Sequence, residues 1–551
     1  ELQRRLASVF ETDLDDDEQA RSAWALAHEI DPSRMEPLDA LERIHTRHDR
    51  WAELIRVYDR KLELVHDEEE RSRLRLKLAS IYEENLGNLH GAIAALDVKE
   101  GNAPRSRAVL RELARMLRAA GLWARLAEVL EEHLALLSGD ASAAAERVEL
   151  LVRLGELRFR ELQEPEAAEA AWRAALELDP NAIRALAGLG QHLEQSGAWD
   201  EALDVLGREV ALRGATEEAC ALHVRIGRIH AAARGDLERA EASYRNALAI
   251  DEGYVPALRA LREVHEARGE TDAWLEMLAR EAQHTEASAE KTRLWNEVGS
   301  RRLERGEEEL ALRAFEEARR HTPDDLAANA ALGDLYFARE EWALAEAALE
   351  VVCGKLSPHG DAEAIRNYAH KLYRLGAACE RQEKIPRALQ AYGRAWESDP
   401  GLLPAGEGLA RLLLRTGNDA QALRVHQAIL IHHRDELSDP EVVELHYTSG
   451  EIRRRLGEVE AALKSFRAAL ELDAWHVDSH RAVIEIAEST GDFTLALEHR
   501  QRLSEVLEGE EKHALLVETA ALAAERLGDP WQAIDACTAA LRIRPDDVDT
   551  A

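Results

Sequence analysis

Apolar residues return at three- and four-residue steps along nearly the whole chain. In residues 181–214, Ile183, Leu186, Leu189 and Leu193 make one such stripe, and Trp199, Ala202, Leu203, Val205, Leu206 and Val210 make another. That period puts the apolar side chains on one face of an α-helix. Gly197 lies between the stripes and predicts a turn. The small residues Gly190 and Ala202 predict that the two helices approach closely. The segment therefore reads as a helical hairpin of 34 residues.

The hairpin belongs to a longer rhythm. An alanine returns in one setting at Ala20, Ala92, Ala168, Ala240, Ala311, Ala388, Ala462 and Ala533, with gaps of 72, 76, 72, 71, 77, 74 and 71 residues. Four residues after each stand Trp24, Leu96, Trp172, Tyr244, Phe315, Tyr392, Phe466 and Cys537. A fixed period across a whole chain marks a repeat solenoid. The double period predicts two alternating hairpins, one near 34 residues and one of 37 to 42. Several short hairpins open their second helix with tryptophan, at Trp51, Trp123, Trp199 and Trp342.

The small residue of the first helix recurs as Leu154-Gly155, Leu189-Gly190, Ile226-Gly227, Val298-Gly299, Leu332-Gly333 and Leu375-Gly376. Asp31-Pro32, Asp179-Pro180 and Asp399-Pro400 close second helices, with looser versions at Asp251, Thr322, Asp473 and Arg544. With these signatures the chain resembles the tetratricopeptide repeat (TPR) family, in particular a long array of bacterial type. The resemblance implies an all-α fold, a right-handed α-solenoid superhelix of about fifteen hairpins continuous over 1–551. The approximate units are 1–32, 33–66, 67–102, 103–140, 141–180, 181–214, 215–252, 253–287, 288–324, 325–358, 359–401, 402–436, 437–474, 475–508 and 509–545. The pattern is weakest near 101–140, where GNAPRSR replaces Asp-Pro, and DDVDTA reads as an incomplete piece. Neither end shows a polar capping helix of the kind solenoids use to shield terminal apolar faces. The chain is therefore expected to be a fragment of a longer one, or to tolerate or dock its open ends.

Composition agrees with helices: 46% of residues are hydrophobic, 32% are charged, and there are only 14 prolines. The net charge of −35 repels nucleic acid and anionic lipid. It reads either as a solvated surface or as a guide for a basic partner. No apolar run approaches the roughly 18 residues of a membrane span. Cys220, Cys353, Cys379 and Cys537 have no metal-ligand spacing, and Cys537 occupies a core ring position. Sparse cysteine suggests a reducing, cytoplasmic setting. Because the chain opens at Glu1 rather than methionine, periplasmic or secreted placement stays open.

Chemistry is not indicated. No phosphate loop, nucleophile elbow or HExxH pair is present, so neither an enzyme nor a cofactor is expected. Asp15–Glu18 and Glu307–Glu309 read as helix starts or solvated loops rather than calcium sites. His476 and His480, and His426 with His432 and His433, lack an evident third ligand, so no metal is expected.

The resemblance implies that first helices line a groove that binds a protein or peptide. Two residues before the small position the longer units carry Arg5, Lys77, Arg153, Arg225, Glu297, Arg374, Thr448 and Glu518. The five bases, Arg5, Lys77, Arg153, Arg225 and Arg374, form either a basic row suited to an acidic partner or a set of ion pairs with neighbouring helices. The paired Lys/Asn clamp of the family is not reproduced: residues 184–191 offer Arg184, Ala187, Gly188 and Gln191. The expected function is a non-enzymatic scaffold for protein partners. Two alternatives stand beside it: a subunit that stacks end to end on its own copies, and the regulatory arm of an enzyme domain outside the chain.

Overall fold

The computed structural model describes residues 1–98, 105–356 and 361–547. Residues 101–104 of GNAPRSR and 548–551 of DDVDTA lie outside them. Among the described residues there are thirty α-helices and no strand. The chain forms two compact units, Glu1–Met277 and Leu278–Ala551.

The first unit holds α1 (Leu2–Ser8), α2 (Asp17–Ile30), α3 (Glu36–Arg47), α4 (Trp51–Leu64), α5 (Glu68–Ser80), α6 (Leu89–Leu96), α7 (Arg107–Ala119), α8 (Trp123–Leu136), α9 (Ala144–Arg160), α10 (Pro165–Leu178), α11 (Ile183–Ser196), α12 (Trp199–Arg213), α13 (Glu217–Arg228), α14 (Leu237–Ile250) and α15 (Val255–Arg268). The boundary falls within α16 (Thr271–His284). The second unit continues with α17 (Ser288–Glu304), α18 (Glu308–His321), α19 (Leu326–Ala338), α20 (Trp342–Lys355), α21 (Ala362–Arg381), α22 (Ile385–Ser398), α23 (Leu403–Arg415), α24 (Asp419–His432), α25 (Asp439–Arg455), α26 (Val459–Leu472), α27 (Val477–Thr490), α28 (Phe493–Val506), α29 (Gly509–Leu522) and α30 (Pro530–Ile543). Neighbouring helices pack in sequence order, so each unit is an α-solenoid of hairpins.

Odd-numbered helices are the first helices of hairpins and even-numbered ones the second. Second helices are nearly constant: apart from α6 with 8 residues and α12 with 15, each has 14, or about 21 Å. Length varies in the first helices instead. In short hairpins they have 12 to 14 residues, as in α3, α7, α11 and α19. In long hairpins α9, α17 and α25 have 17 and α21 has 20. The double period thus originates on one face of the stack.

The core explains the recurring small residues. Trp172 lies between Gly155 of its own hairpin and Gly188 of the next, and a Cβ on either would fall 2.5 Å from the indole. Tyr392 is held in the same way by Gly376 and Gly408, where a Cβ would stand 2.6 and 2.9 Å from its ring. Gly227, Gly299 and Gly450 lie equally close under Tyr244, Phe315 and Phe466. Such a Cβ contact is sterically forbidden, so glycine here is set by packing. The alanines that open the motif, from Ala20 to Ala462, are fully buried. The final copy differs: Ala533 and Cys537 are only half-buried, so the expectation that Cys537 is a core thiol is corrected. Trp531 and Ile534 on the same helix are exposed, and no further hairpin of the described chain follows to cover them.

The hairpin turns come in two lengths. At ten of them an N–H bonds the carbonyl five residues back, as Ala198 to Leu193 and Lys384 to Cys379. This is the Schellman closure, which needs one residue of positive φ. At five, the bond reaches six residues back: Asp16 to Phe10, Asn88 to Tyr82, Glu164 to Arg158, Asp236 to His230 and Asp529 to Ala523. In four of these the first helix ends in a π-helical turn, at Val9–Asp13, Ile81–Asn85, Ile229–Ala233 and Ala523–Leu527. The added residue moves the small position from 16 to 17 residues before the ring, as in Gly376–Tyr392 against Gly155–Trp172. A one-residue insertion is absorbed without disturbing the contact beneath the ring.

Candidate functional site

First helices of successive hairpins lie side by side, and their polar faces are joined by ion pairs. In the first unit Glu11 takes Arg43 at 2.8 Å, Glu42 takes Lys77 at 3.0 Å, and Glu83 takes Arg115. Glu149 and Glu156 hold Arg184 at 3.0 and 2.8 Å, and Glu194 holds Arg225 at 2.8 Å. In the second unit Asp334 takes Lys371 at 2.6 Å together with Arg374, and Glu380 takes Arg411 at 2.9 Å. The partners stand 28 to 40 residues apart in the chain, one hairpin along.

The basic positions expected from sequence are part of this lattice. Arg5 is well exposed and lies 3.6 Å from Glu1. Lys77 meets Glu42 and stands 5.8 Å from the centre of the Tyr58 ring. Arg153 pairs with Glu149 at 2.6 Å on its own helix. Arg225 meets Glu194, and Arg374 meets Asp334 while lying 5.7 Å over Phe337. The row's other members are also partnered: Glu297 with Arg293 at 3.8 Å, Glu518 with Arg500 at 2.8 Å, and Thr448 with the Glu444 carbonyl at 2.8 Å. The five bases do not converge on one point. Each carries a local acid.

Where the lattice is most buried it shifts acidity. Burial pushes the Glu42 carboxyl up, but hydrogen bonds from Lys61, Tyr58 and Lys77 outweigh it and bring it down to about 2. Burial likewise raises Glu149, and Arg153 and Arg184 together hold it below the usual carboxylate range.

Two clefts open between first helices of the first unit. One, of about 430 Å³, lies between α7 and α9 over Leu126, Leu130 and Leu150, with Arg111, Arg115, Arg118 and Arg153 at its sides. The other, of about 400 Å³, lies between α11 and α13, where Arg225 and Arg228 flank Trp199 and Ile229. Sequence reasoning found Arg153 and Arg225 but missed Arg111, Arg115, Arg118 and Arg228. The spacing of four and three within Arg111-Glu-Leu-Ala-Arg115-Met-Leu-Arg118 was the available signal, since it sets three bases on one helical face.

The histidines do not gather around a metal. Among the described residues no three His, Cys, Asp or Glu side chains converge as a metal site requires. His476 caps α27 by accepting from the Ser479 amide, and His433 meets the Pro400 carbonyl at 2.7 Å. His480 instead faces His499, a residue not singled out by sequence, with the two Nδ1 atoms 2.9 Å apart in a buried setting. Asp16 caps α2, in line with the helix-start reading of its acidic run. Among the described residues no helix is long and apolar enough to cross a membrane.

Models of the tetratricopeptide repeat match residues 38–72 and, in a second form, 157–215, 299–361, 407–475 and 447–505. No curated protein matches the chain. Among solved structures, MamA is 16% identical, over 33% of this chain and 94% of that one, with a TM-score of 0.27. The C-terminal part of a TPR repeat-containing protein from Cytophaga hutchinsonii is 17% identical, over 46% and 97%, with a TM-score of 0.30. YrrB, described as a TPR protein with an unusual peptide-binding site, is 18% identical, over 34% and 91%, with a TM-score of 0.24.

Proposed function

The chain is a tetratricopeptide-repeat protein, and from that premise we propose that it is a non-catalytic scaffold whose first-helix faces receive a partner protein or peptide. The observation that carries this reading is the pair of clefts between first helices. Each joins an apolar floor to charged walls, the combination that orients a bound chain while burying part of it. Several such contacts along the stack add avidity when their spacing matches the partner. A cytoplasmic setting is proposed with it, supported by four unpaired cysteines.

The test is capture of partners from native lysate by the whole chain and by a variant carrying Arg153→Glu, Arg225→Glu and Arg374→Glu. Loss of a captured protein, with the helical circular dichroism unchanged, is the expected result. Retention of every captured protein by the variant would sink the reading.

A second reading, association of copies, is favoured by apolar side chains exposed on terminal helices: Leu2, Ile30, Trp531 and Ile534. Sedimentation over a hundredfold concentration range decides it. A constant monomer mass rules it out.

A further inference from the structure

We propose that the cleft between α7 and α9 is a docking site for an acidic peptide segment that carries an apolar side chain beside its carboxylates. The proposal rests on the scaffold reading and names the chemistry of one of its contacts.

The first argument is charge polarity. At the α3–α5, α9–α11 and α11–α13 steps the acid stands on the earlier first helix and the base on the later one, in Glu42–Lys77, Glu149–Arg184 and Glu194–Arg225. The α1–α3 step runs both ways, through Glu11–Arg43 and Arg4–Glu36. Between α7 and α9 the order reverses, and Arg111 reaches forward to Glu146 at 2.6 Å. Arg115 of the same helix still reaches back to Glu83. Helix α7 thus sends bases in both directions, and α9 supplies acids in both. The cleft walls carry four arginines, Arg111, Arg115, Arg118 and Arg153, against two glutamates, Glu146 and Glu149. Glu146, Glu149 and the pair Glu83 and Glu112 hold Arg111, Arg153 and Arg115, which leaves Arg118 as the one arginine of the cleft wall without an acid among the described residues. An unpaired cation beside this floor in a chain of net charge −35 favours an anionic ligand.

The second argument is an unused bonding capacity. Arg118 has no hydrogen bond or ion pair for its guanidinium among the described residues and is exposed at the cleft wall. At the base, His133 is 2% exposed. Its Nε2 stands 3.2 Å from Glu146 but is not aligned to share a hydrogen bond, so a buried polar atom is left unmatched. A carboxylate entering the cleft would meet a free guanidinium fork.

The third argument is the floor. Leu126, Leu130 and Leu150 form an apolar base under about 430 Å³, a volume in the range of pockets that take a few side chains. A bare anion would leave that floor wet, whereas an apolar residue next to the carboxylate would cover it. The site also lies where the repeat pattern is weakest, after the shortened α6 and the stretch that replaces Asp-Pro.

The test uses the whole chain and fluorescein-labelled peptides, read by anisotropy at low salt. The sequence Glu-Glu-Leu-Glu-Glu-Leu is expected to bind at least tenfold more tightly than hexaglutamate and than Lys-Lys-Leu-Lys-Lys-Leu. Arg118→Glu breaks no contact of the fold and is expected to weaken that binding at least tenfold. Arg542→Glu, an exposed arginine of α30, is expected to leave it unchanged. Absence of binding, equal affinity for hexaglutamate, or equal loss in both variants overturns the proposal. Any of these results, alongside lysate partners lost in the triple variant, would overturn the acidic peptide alone and leave the scaffold reading standing.

Discussion

Long and short hairpins share a second helix of nearly one length, and three of the long ones share the turn of the short ones, yet the two classes fill their cores differently. In the long hairpins a ring, Trp172, Tyr244, Phe315, Tyr392 or Phe466, is wedged against a small residue of its own first helix. Gly188 and Gly408 close two of these rings from the next hairpin, and alanines such as Ala260 and Ala482 share the core of two others. In four of the short hairpins the comparable position holds leucine, at Leu130, Leu206, Leu278 and Leu349, against Tyr58, His426 and Arg500 in the other three. Several short hairpins carry a ring at the start of the second helix instead. There Trp342 is covered by Arg381 of the next hairpin and Phe493 by Arg526, at 5.6 and 5.5 Å. Histidine is divided just as unevenly. Among the described residues, fully buried His45, His133, His192, His265, His426, His433, His480 and His499 all belong to short hairpins, and only His513 to a long one. One class is sealed by neutral rings and the other is left open to protons.

The largest expected effect breaks the wedge. Trp172→Ala should cost about 3–5 kcal/mol. Gly155→Ala, whose methyl would strike the same indole, should cost about 1–3 kcal/mol. Gly190→Ala in the neighbouring short hairpin places its methyl 3.3 Å from the mobile end of Leu206 and should cost under about 1 kcal/mol. Urea unfolding with hydrogen exchange at α9 to α12 measures all three, and equal costs for the two glycines would erase the distinction.

The next effect is acid. Burial, with the neighbouring His480, lowers His499 to about 4, and burial alone lowers His426 to about 4. The unfolded chain therefore takes up these protons first. The stability tied to the neutral rings is complete above about pH 6.5 and is lost between 6.5 and 4, at about 1.4 kcal/mol per pH unit for each histidine. Hydrogen exchange at pH 7 and pH 5 should show α24, α27 and α28 loosening before the ring-sealed α21 and α22. Uniform loosening would remove histidine as the cause.

The smallest effect should be common to both classes. Glu340 of a short hairpin and Glu383 of a long one both adopt φ of 60° at the turn. Replacing either with glycine removes the left-handed penalty and should stabilise by about 0.5–1 kcal/mol. Thermal melts giving opposite signs at the two sites would show that the turns differ after all.

Much of the fold could be read before the structure, because its determinants are local. The small residue, the ring and the closing aspartate recur at spacings set by helix geometry, so Gly155, Trp172 and Asp179 declare themselves. The turn insertion was hidden, since 16 and 17 residues look alike until the hydrogen bond is traced. The site was only half legible. Arg153 and Arg225 stand on repeat positions, and Glu149 could be found four residues before Arg153, but the acid of Arg225, Glu194, lies on another first helix 31 residues away in the chain. His499 was missed for the same reason: it meets His480 across a hairpin, with no motif to announce it.

The two-sided glycine seat has a consequence for how such a chain can be edited. Fusing residue 180 directly to residue 253 would excise one complete cassette and keep the alternation of hairpins. It would nevertheless bring Trp172 against Ala260 where Gly188 now leaves room for the indole. Tyr392 raises the same barrier, because Gly408 would give way to Ala482 if residues 401–474 were removed. At these two joints each ring accepts only its own successor, so the order of modules is written into the chain along with their number.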